Sequence, residues 1–177
     1  MNRVTALGLA LALCSGCSSY AVAKYGVSVD TVITLKTLGG QQVSVGPFGA
    51  TKGGQTSIMC RGVGPVKTPD GKPFEEYVRN AFVDELRVAG LLGDAAPMTL
   101  TGNLDRAEFN SMSGKWMLDL TVNSSNGRSV KVSEVYDYET SFVGEKACAL
   151  SAQAFSPAVQ ELIGKTVRNP EFSALLR

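Results

Sequence analysis

The chain has 177 residues, enough for one compact domain and too few for two comfortable ones. It is 44% hydrophobic and 19% charged, so it can bury a core, which excludes a disordered or collagen-like chain. Its 17 basic and 16 acidic side chains form no basic stripe of the kind nucleic acid requires, and it contains no histidine, which removes Ser-His-Asp and Cys-His catalysis, H-E-x-x-H zinc chemistry and c-type haem attachment.

At the N-terminus Arg3 precedes an apolar run, Val4 to Leu13, broken only by Thr5. Roughly ten apolar residues match the hydrophobic region of an export signal and fall far short of the ~20 needed to span a bilayer. The run is apolar on every face and ends in Cys14-Ser15-Gly16-Cys17-Ser18-Ser19. Small residues directly before Cys17 resemble the lipobox of bacterial lipoproteins, with Cys14 standing where those proteins usually carry leucine. The resemblance implies cleavage between Gly16 and Cys17, diacylglycerol on the Cys17 sulfur and a fatty acyl chain, such as palmitate, on its new amino group. Ser18 is similar to the second residue that permits sorting to the outer membrane, facing the periplasm. The Cys14-x-x-Cys17 spacing is accidental as a redox motif, because it closes an export signal instead of opening a helix after a strand. Residues 1–16 are thus expected to be a signal peptide, 17–27 a lipidated end with a short tether, and 28–177 a single periplasmic domain. Removing the signal takes Arg3 and no acid, so the mature chain is formally neutral. Its membrane affinity must then come from lipid, at ~0.8 kcal/mol per buried methylene.

The domain begins with Ser28 and Asp30, which can cap a short helix over Thr31–Leu38 that Gly39-Gly40 ends. Gln42–Phe48 and Thr56–Arg61 read as extended runs joined by a flexible Gly49–Gln55 segment. Pro65–Pro73 reads as loop, with Pro69-Asp70-Gly71 as a turn. After Pro73 the period changes. Phe74, Tyr77, Val78, Ala81, Phe82, Leu86 and Ala89 form a helical stripe on which Glu85 is the polar exception. Three alternating segments follow, Met98–Phe109, Lys115–Asn123 and Ser129–Phe142, with the hairpin signal Asn126-Gly127 between the last two. A final helix over Glu145–Val167 contains Pro157, which is expected to kink or divide it. These elements predict an α+β fold, an antiparallel sheet with two main helices packed on one face.

The whole mature chain resembles small proteobacterial outer-membrane lipoproteins of unassigned function. The features that carry the resemblance are Asp84-Glu85-Leu86 before Ala89-Gly90, Thr99-Leu100-Thr101-Gly102, Gly114-Lys115-Trp116, Ser124-Ser125-Asn126-Gly127, Ala147-Cys148 and Pro157-Ala158-Val159. The architecture is also similar to periplasmic auxiliary lipoproteins of transporters and activator lipoproteins of cell-wall synthases. No motif in this pattern is catalytic, so the resemblance assigns no active residue.

Cys14 leaves with the signal and Cys17 carries lipid, which leaves Cys60 and Cys148. In an oxidising periplasm a single disulfide between them is the simplest outcome, and two separate buried thiols are the alternative. Gly71-Lys72 is followed by Pro73 and preceded by Val66 where a P-loop requires glycine, so no phosphate loop is present. Asp105, Glu108, Glu134, Asp137 and Glu139 are the carboxylates to weigh for glycosidase chemistry, against a solvated strand face that discourages edge pairing. Trp116, Tyr136 and Tyr138 are either core or a sugar- or lipid-binding platform. The expected protein is noncatalytic, without metal or cofactor, held to the membrane at Cys17 and binding another envelope protein. Binding of a small envelope lipid or glycan between sheet and helices is the second reading, and a histidine-free hydrolase the third.

Overall fold

A computed structural model describes residues 19–177. Signal cleavage at Gly16 and lipidation at Cys17 therefore lie outside the described residues. The fold is α+β. Its elements are strand β1 (Tyr20–Ala21), helix α1 (Val29–Leu38), strands β2 (Val43–Ala50), β3 (Ser57–Cys60) and β4 (Gly64–Lys67), helix α2 (Phe74–Ala89), strands β5 (Met98–Asn110), β6 (Lys115–Ser124) and β7 (Ser129–Asp137), and helix α3 (Gly144–Arg168), closed by a 3-10 turn over Phe172–Leu176.

The strands form two sheets, β2-β5-β6-β7 and β1-β4-β3. The larger is a mixed sheet, not the wholly antiparallel one expected. β5, β6 and β7 meander, but β2 runs parallel to β5, from Val43 opposite Met98 to Ala50 opposite Leu104. Residues 51–97 carry the chain across from one to the other, and such a long crossover leaves parallel pairing open where a hairpin would not. At the β2–β5 contact Gly102 lies against Phe48. A β-carbon there would sit 2.7 Å from the phenyl ring, so only glycine leaves the ring its place.

Strand alternation sends Leu100, Leu104, Trp116, Leu118, Leu120, Val122, Val130 and Val132 to the face covered by α2 and α3. The centre is aromatic. Trp116 is fully buried, with ring centroids 4.7 Å from Phe155, 4.8 Å from Phe109 and 6.4 Å from Phe74, and its Nε1 donates to the Ser151 carbonyl at 2.8 Å. A large indole is tolerated here because its one polar atom finds an acceptor. Trp116 is therefore core, and the Tyr138 hydroxyl is likewise tied inward, 2.7 Å from Ser151 Oγ.

Helix boundaries follow local chemistry. Ser28 Oγ accepts from Thr31 N at the start of α1, and Gly90 takes a left-handed conformation after α2, its N–H bonding back to Arg87 and Leu86 carbonyls. Pro157 neither divides α3 nor ends it. The proline removes the hydrogen bond to the Gln153 carbonyl, and Gln153 lies on the exposed face, where water can serve that oxygen.

Three further departures from the sequence reading matter for function. Pro65 lies inside β4, opposite Met59, where the flanking pairs Ile58–Val66 and Cys60–Gly64 carry the ladder. β7 ends at Asp137, and the chain through residue 143 forms a loop. The stretch 17–27, read as a tether, belongs to the domain from Tyr20 onward. Tyr20–Ala21 pair parallel to Val66–Lys67, Val22 is buried, and the Ala23 and Gly26 carbonyls accept from Tyr77 Oη at 2.9 Å and Gln160 Nε2 at 2.6 Å.

Candidate functional site

Of the five carboxylates weighed for catalysis, four are taken up by basic side chains, and Glu139 is exposed in the loop after β7. Glu134 is held by Lys165 Nζ at 3.1 Å, Asp137 by Lys115, and Glu108 by Lys52 Nζ at 2.9 Å and Arg106 Nε at 3.2 Å. Burial pushes the Asp105 carboxyl upward, but hydrogen bonds from Thr121 and Asn103 and the charge of Lys131 outweigh it and hold it below its ordinary range. Hydrogen bonds from Lys52 and then Arg106 lower Glu108 in the same sense. Each of these four acids is thus paired with a basic side chain. The space between sheet and helices, considered for a small ligand, is filled by the Trp116–Phe155–Phe74 cluster.

Cys60 and Cys148 form a disulfide with their α-carbons 5.8 Å apart, joining the end of β3 to the first turns of α3. Arg61 follows directly, with φ of 48°, a left-handed position uncommon for a side chain with a β-carbon. Its guanidinium donates from Nε to Ser111 Oγ at 2.9 Å, from Nη2 to the Ser111 carbonyl at 2.6 Å, and from Nη1 to the Ser141 carbonyl at 3.0 Å. One side chain therefore ties three loops together. Sequence reasoning missed it, because nothing local distinguishes Arg61 from a solvated arginine.

Sequence reasoning also missed the role of Glu85. The residue is fully buried, and its Oε1 accepts from Tyr25 Oη at 2.6 Å and from Ser28 N at 2.7 Å, while Oε2 has no partner. Desolvation raises its pKa, against the opposing effect of those two donors. The Tyr25 hydroxyl is pushed far up by burial and by its bond to Glu85. The signal was present in the sequence: an acid on an otherwise apolar stripe.

Strand edges differ in how they are closed. Along the outer edge of β2, Arg79 donates to the Val45 and Gly46 carbonyls at 2.9 and 2.7 Å, and Leu91 and Gly93 bond to Val43. On β7, Lys165 Nζ donates to the Ser133 carbonyl at 2.8 Å, and Lys131 and Asp137 add charge. The edges of β3 and of the C-terminal part of β5 lack such closure. Gly114 O accepts from Tyr138 N across the β6–β7 side, so Lys115 and Met117 turn their backbone groups to β5. Their partners Asn110 and Glu108 face β6, and Ala107 and Phe109 turn their N–H and C=O outward, beyond the reach of β2. On β3, Cys60 bonds within its turn to Val63, so Ser57 and Met59 face away from β4, with Gln55 Nε2 occupying the Ser57 carbonyl at 3.2 Å. Between these two edges lies an open groove of about 480 Å³, lined by Met59, Arg61, Ala107, Phe109, Lys52 and Glu108 among others. Arg61 closes one end of it, and the Lys52–Glu108 ion pair sits on its rim. Among the described residues no strand fills it.

No family model and no curated protein matches the chain. Among solved structures, the chain is similar to a "putative lipoprotein" from Caulobacter crescentus, at 13% identity and a TM-score of 0.42, over 82% of this chain and 94% of that one. A likeness at that level carries no argument about function.

Proposed function

We propose that this protein is a lipid-anchored envelope lipoprotein, held by acylated Cys17 at the periplasmic face of the outer membrane, that serves another envelope protein as a noncatalytic accessory module. The occupant of the groove is an extended segment of that partner, added as a strand between β3 and β5. The observation that supports this reading most directly is the pair of outward-facing strand edges, Met59 on one side and Ala107 and Phe109 on the other, bordering one groove. Main-chain hydrogen bonds to such edges supply affinity, and flanking side chains supply selectivity. The Cys60–Cys148 bond is in keeping with an oxidising compartment. The engagement of Glu134 by Lys165, Asp137 by Lys115 and Glu108 by Lys52 favours this reading over a hydrolase built on those acids.

Two measurements test the proposal. Cys17→Ser should lose incorporation of a palmitate analogue and release the protein from membranes; unchanged labelling removes the anchor. A photo-crosslinking residue at Met59 in intact envelopes should give a discrete adduct, absent when the same probe stands at Asn123 on the open face of the large sheet. Equal adducts from both positions, or none, would overturn strand docking in the groove.

A further inference from the structure

The pairing of β1 fixes which end of the domain the lipid approaches. Because Tyr20 runs parallel to Val66, the chain enters β1 from the end of the small sheet that carries the β3–β4 turn. Cys17 is three residues before Tyr20, a distance of at most about 10 Å for extended chain. The lipidated chain therefore enters the domain on the side that carries the β3–β4 turn.

That end is built from the β3–β4 turn, the β5–β6 turn and the loop before α3. Arg61 draws them together through Ser111 and Ser141, Thr140 Oγ1 donates to the Ser111 carbonyl, and Tyr138 N donates to Gly114 O at 2.7 Å. The loops so held present apolar side chains to solvent: Met112 is 67% exposed, Val143 58%, and Phe142 as exposed as in an unfolded chain, at 102%. Charge around them balances. Lys115 pairs with Asp137, and the exposed Glu139 and Glu145 stand against Lys146 and the internally engaged Arg61. An apolar cluster on pinned loops, with balanced charge and at the end of the small sheet from which the chain enters β1, is suited to the interfacial region of a bilayer.

We infer that Met112, Phe142 and Val143 insert into the surface of the membrane that holds Cys17, so that the domain sits in one orientation instead of swinging on its anchor. This inference rests on the lipidation of Cys17. It also gives the neighbouring groove a fixed height above the lipid, because Arg61 belongs both to the groove and to the loop cluster.

The test uses full-length lipidated protein in phosphatidylcholine vesicles containing a nitroxide-labelled lipid. Cys60 and Cys148 are bonded to each other, so Met112→Cys introduces a thiol that accepts an environment-sensitive fluorophore. Ile33→Cys on α1, also exposed, is the control. The fluorophore at residue 112 should be quenched several-fold more strongly by the lipid nitroxide than the one at residue 33. Raising salt should leave that ratio unchanged, since screening acts on charge and not on apolar insertion. Adding Phe142→Asp to the labelled protein should reduce quenching at 112 while flotation with the vesicles persists. Flotation with equal quenching at both positions overturns the orientation and leaves the anchor standing. Failure to float, with Cys17 unmodified by mass, overturns the anchor and the inference with it. Protection of residue 112 in native envelopes but not in vesicles would show that a protein covers the patch, which also overturns the inference.

Discussion

The four-stranded and three-stranded sheets both lean on α3, yet they are held by different means. The large sheet has strands of 8 to 13 residues, a continuous apolar face and an aromatic centre around Trp116. The small one has strands of two and four residues, and of its side chains only Cys60 and Val66 are buried and apolar. Strands that short bury too little surface to stand alone. The chain compensates with ties of other kinds: the Cys60–Cys148 bond, the Arg61 clamp, and the contacts of Tyr25 and Ser28 with Glu85 just beyond β1. An apolar core and a set of discrete staples are alternative solutions to the same entropic cost, and they should fail differently.

The largest effect should come from the disulfide. Its cysteines are 88 residues apart, so Cys60→Ala with Cys148→Ala should cost roughly 4 to 5 kcal/mol in the chain-entropy model. Hydrogen exchange should then accelerate first at Val22 and Val66, while amides of Leu118 and Leu120 keep their relative protection. Uniform acceleration would show the two sheets to be one cooperative unit. Phe155→Ala probes the other region. It removes a ring in contact with Phe74, Tyr77 and Trp116, and should cost about 3 to 5 kcal/mol in denaturant melts and loosen both sheets together.

A smaller effect, about 1 to 3 kcal/mol, is expected from Glu85→Ala, which strands the Tyr25 hydroxyl and the Ser28 N–H. Glu85 also gives this region a pH dependence. Its folded pKa is raised by burial, so the folded state holds the proton more tightly than the unfolded chain does. The stability this confers is complete below the ordinary glutamate value and is lost as pH rises through the raised folded value. Thermal melts across that window should show a decline that Glu85→Gln flattens. An unchanged slope would show that Glu85 is ionised in the fold at no cost. The smallest effect belongs to the groove rim, where Lys52→Ala breaks an exposed ion pair and should alter stability by no more than about 0.5 kcal/mol. Any change in crosslinking from Met59 in that variant would then report on binding and not on folding.

Much of the large sheet was legible because its information is local. The apolar stripe from Phe74 to Ala89, the alternation of β5, β6 and β7, Ser28 as a cap and Asn126-Gly127 as a turn each declare themselves within a few residues. The small sheet was not. Pro65 argues against a strand wherever its neighbours are unknown, and Tyr20–Ala21 is extended only because β4 lies beside it. The groove was illegible for the same reason, since it is defined by which backbone groups lack partners, a property of pairing and not of composition.

From the sequence alone follow the α+β class, the helix limits near Gly90, the resemblance of the N-terminus to a lipoprotein signal, and the expectation that Cys60 pairs with Cys148, because periodicity, caps and cysteine number are read along the chain. Tertiary structure alone decided that β2 runs parallel to β5, that residues 20–27 dock instead of forming a tether, and that Glu85 anchors that segment. It alone placed Met112 and Phe142 on loops joined by Arg61. The cause is the same in each case: the energies that settle these features come from contacts between residues far apart in sequence, 50 positions in the case of Arg61 and Ser111, and no local pattern encodes a partner at that distance.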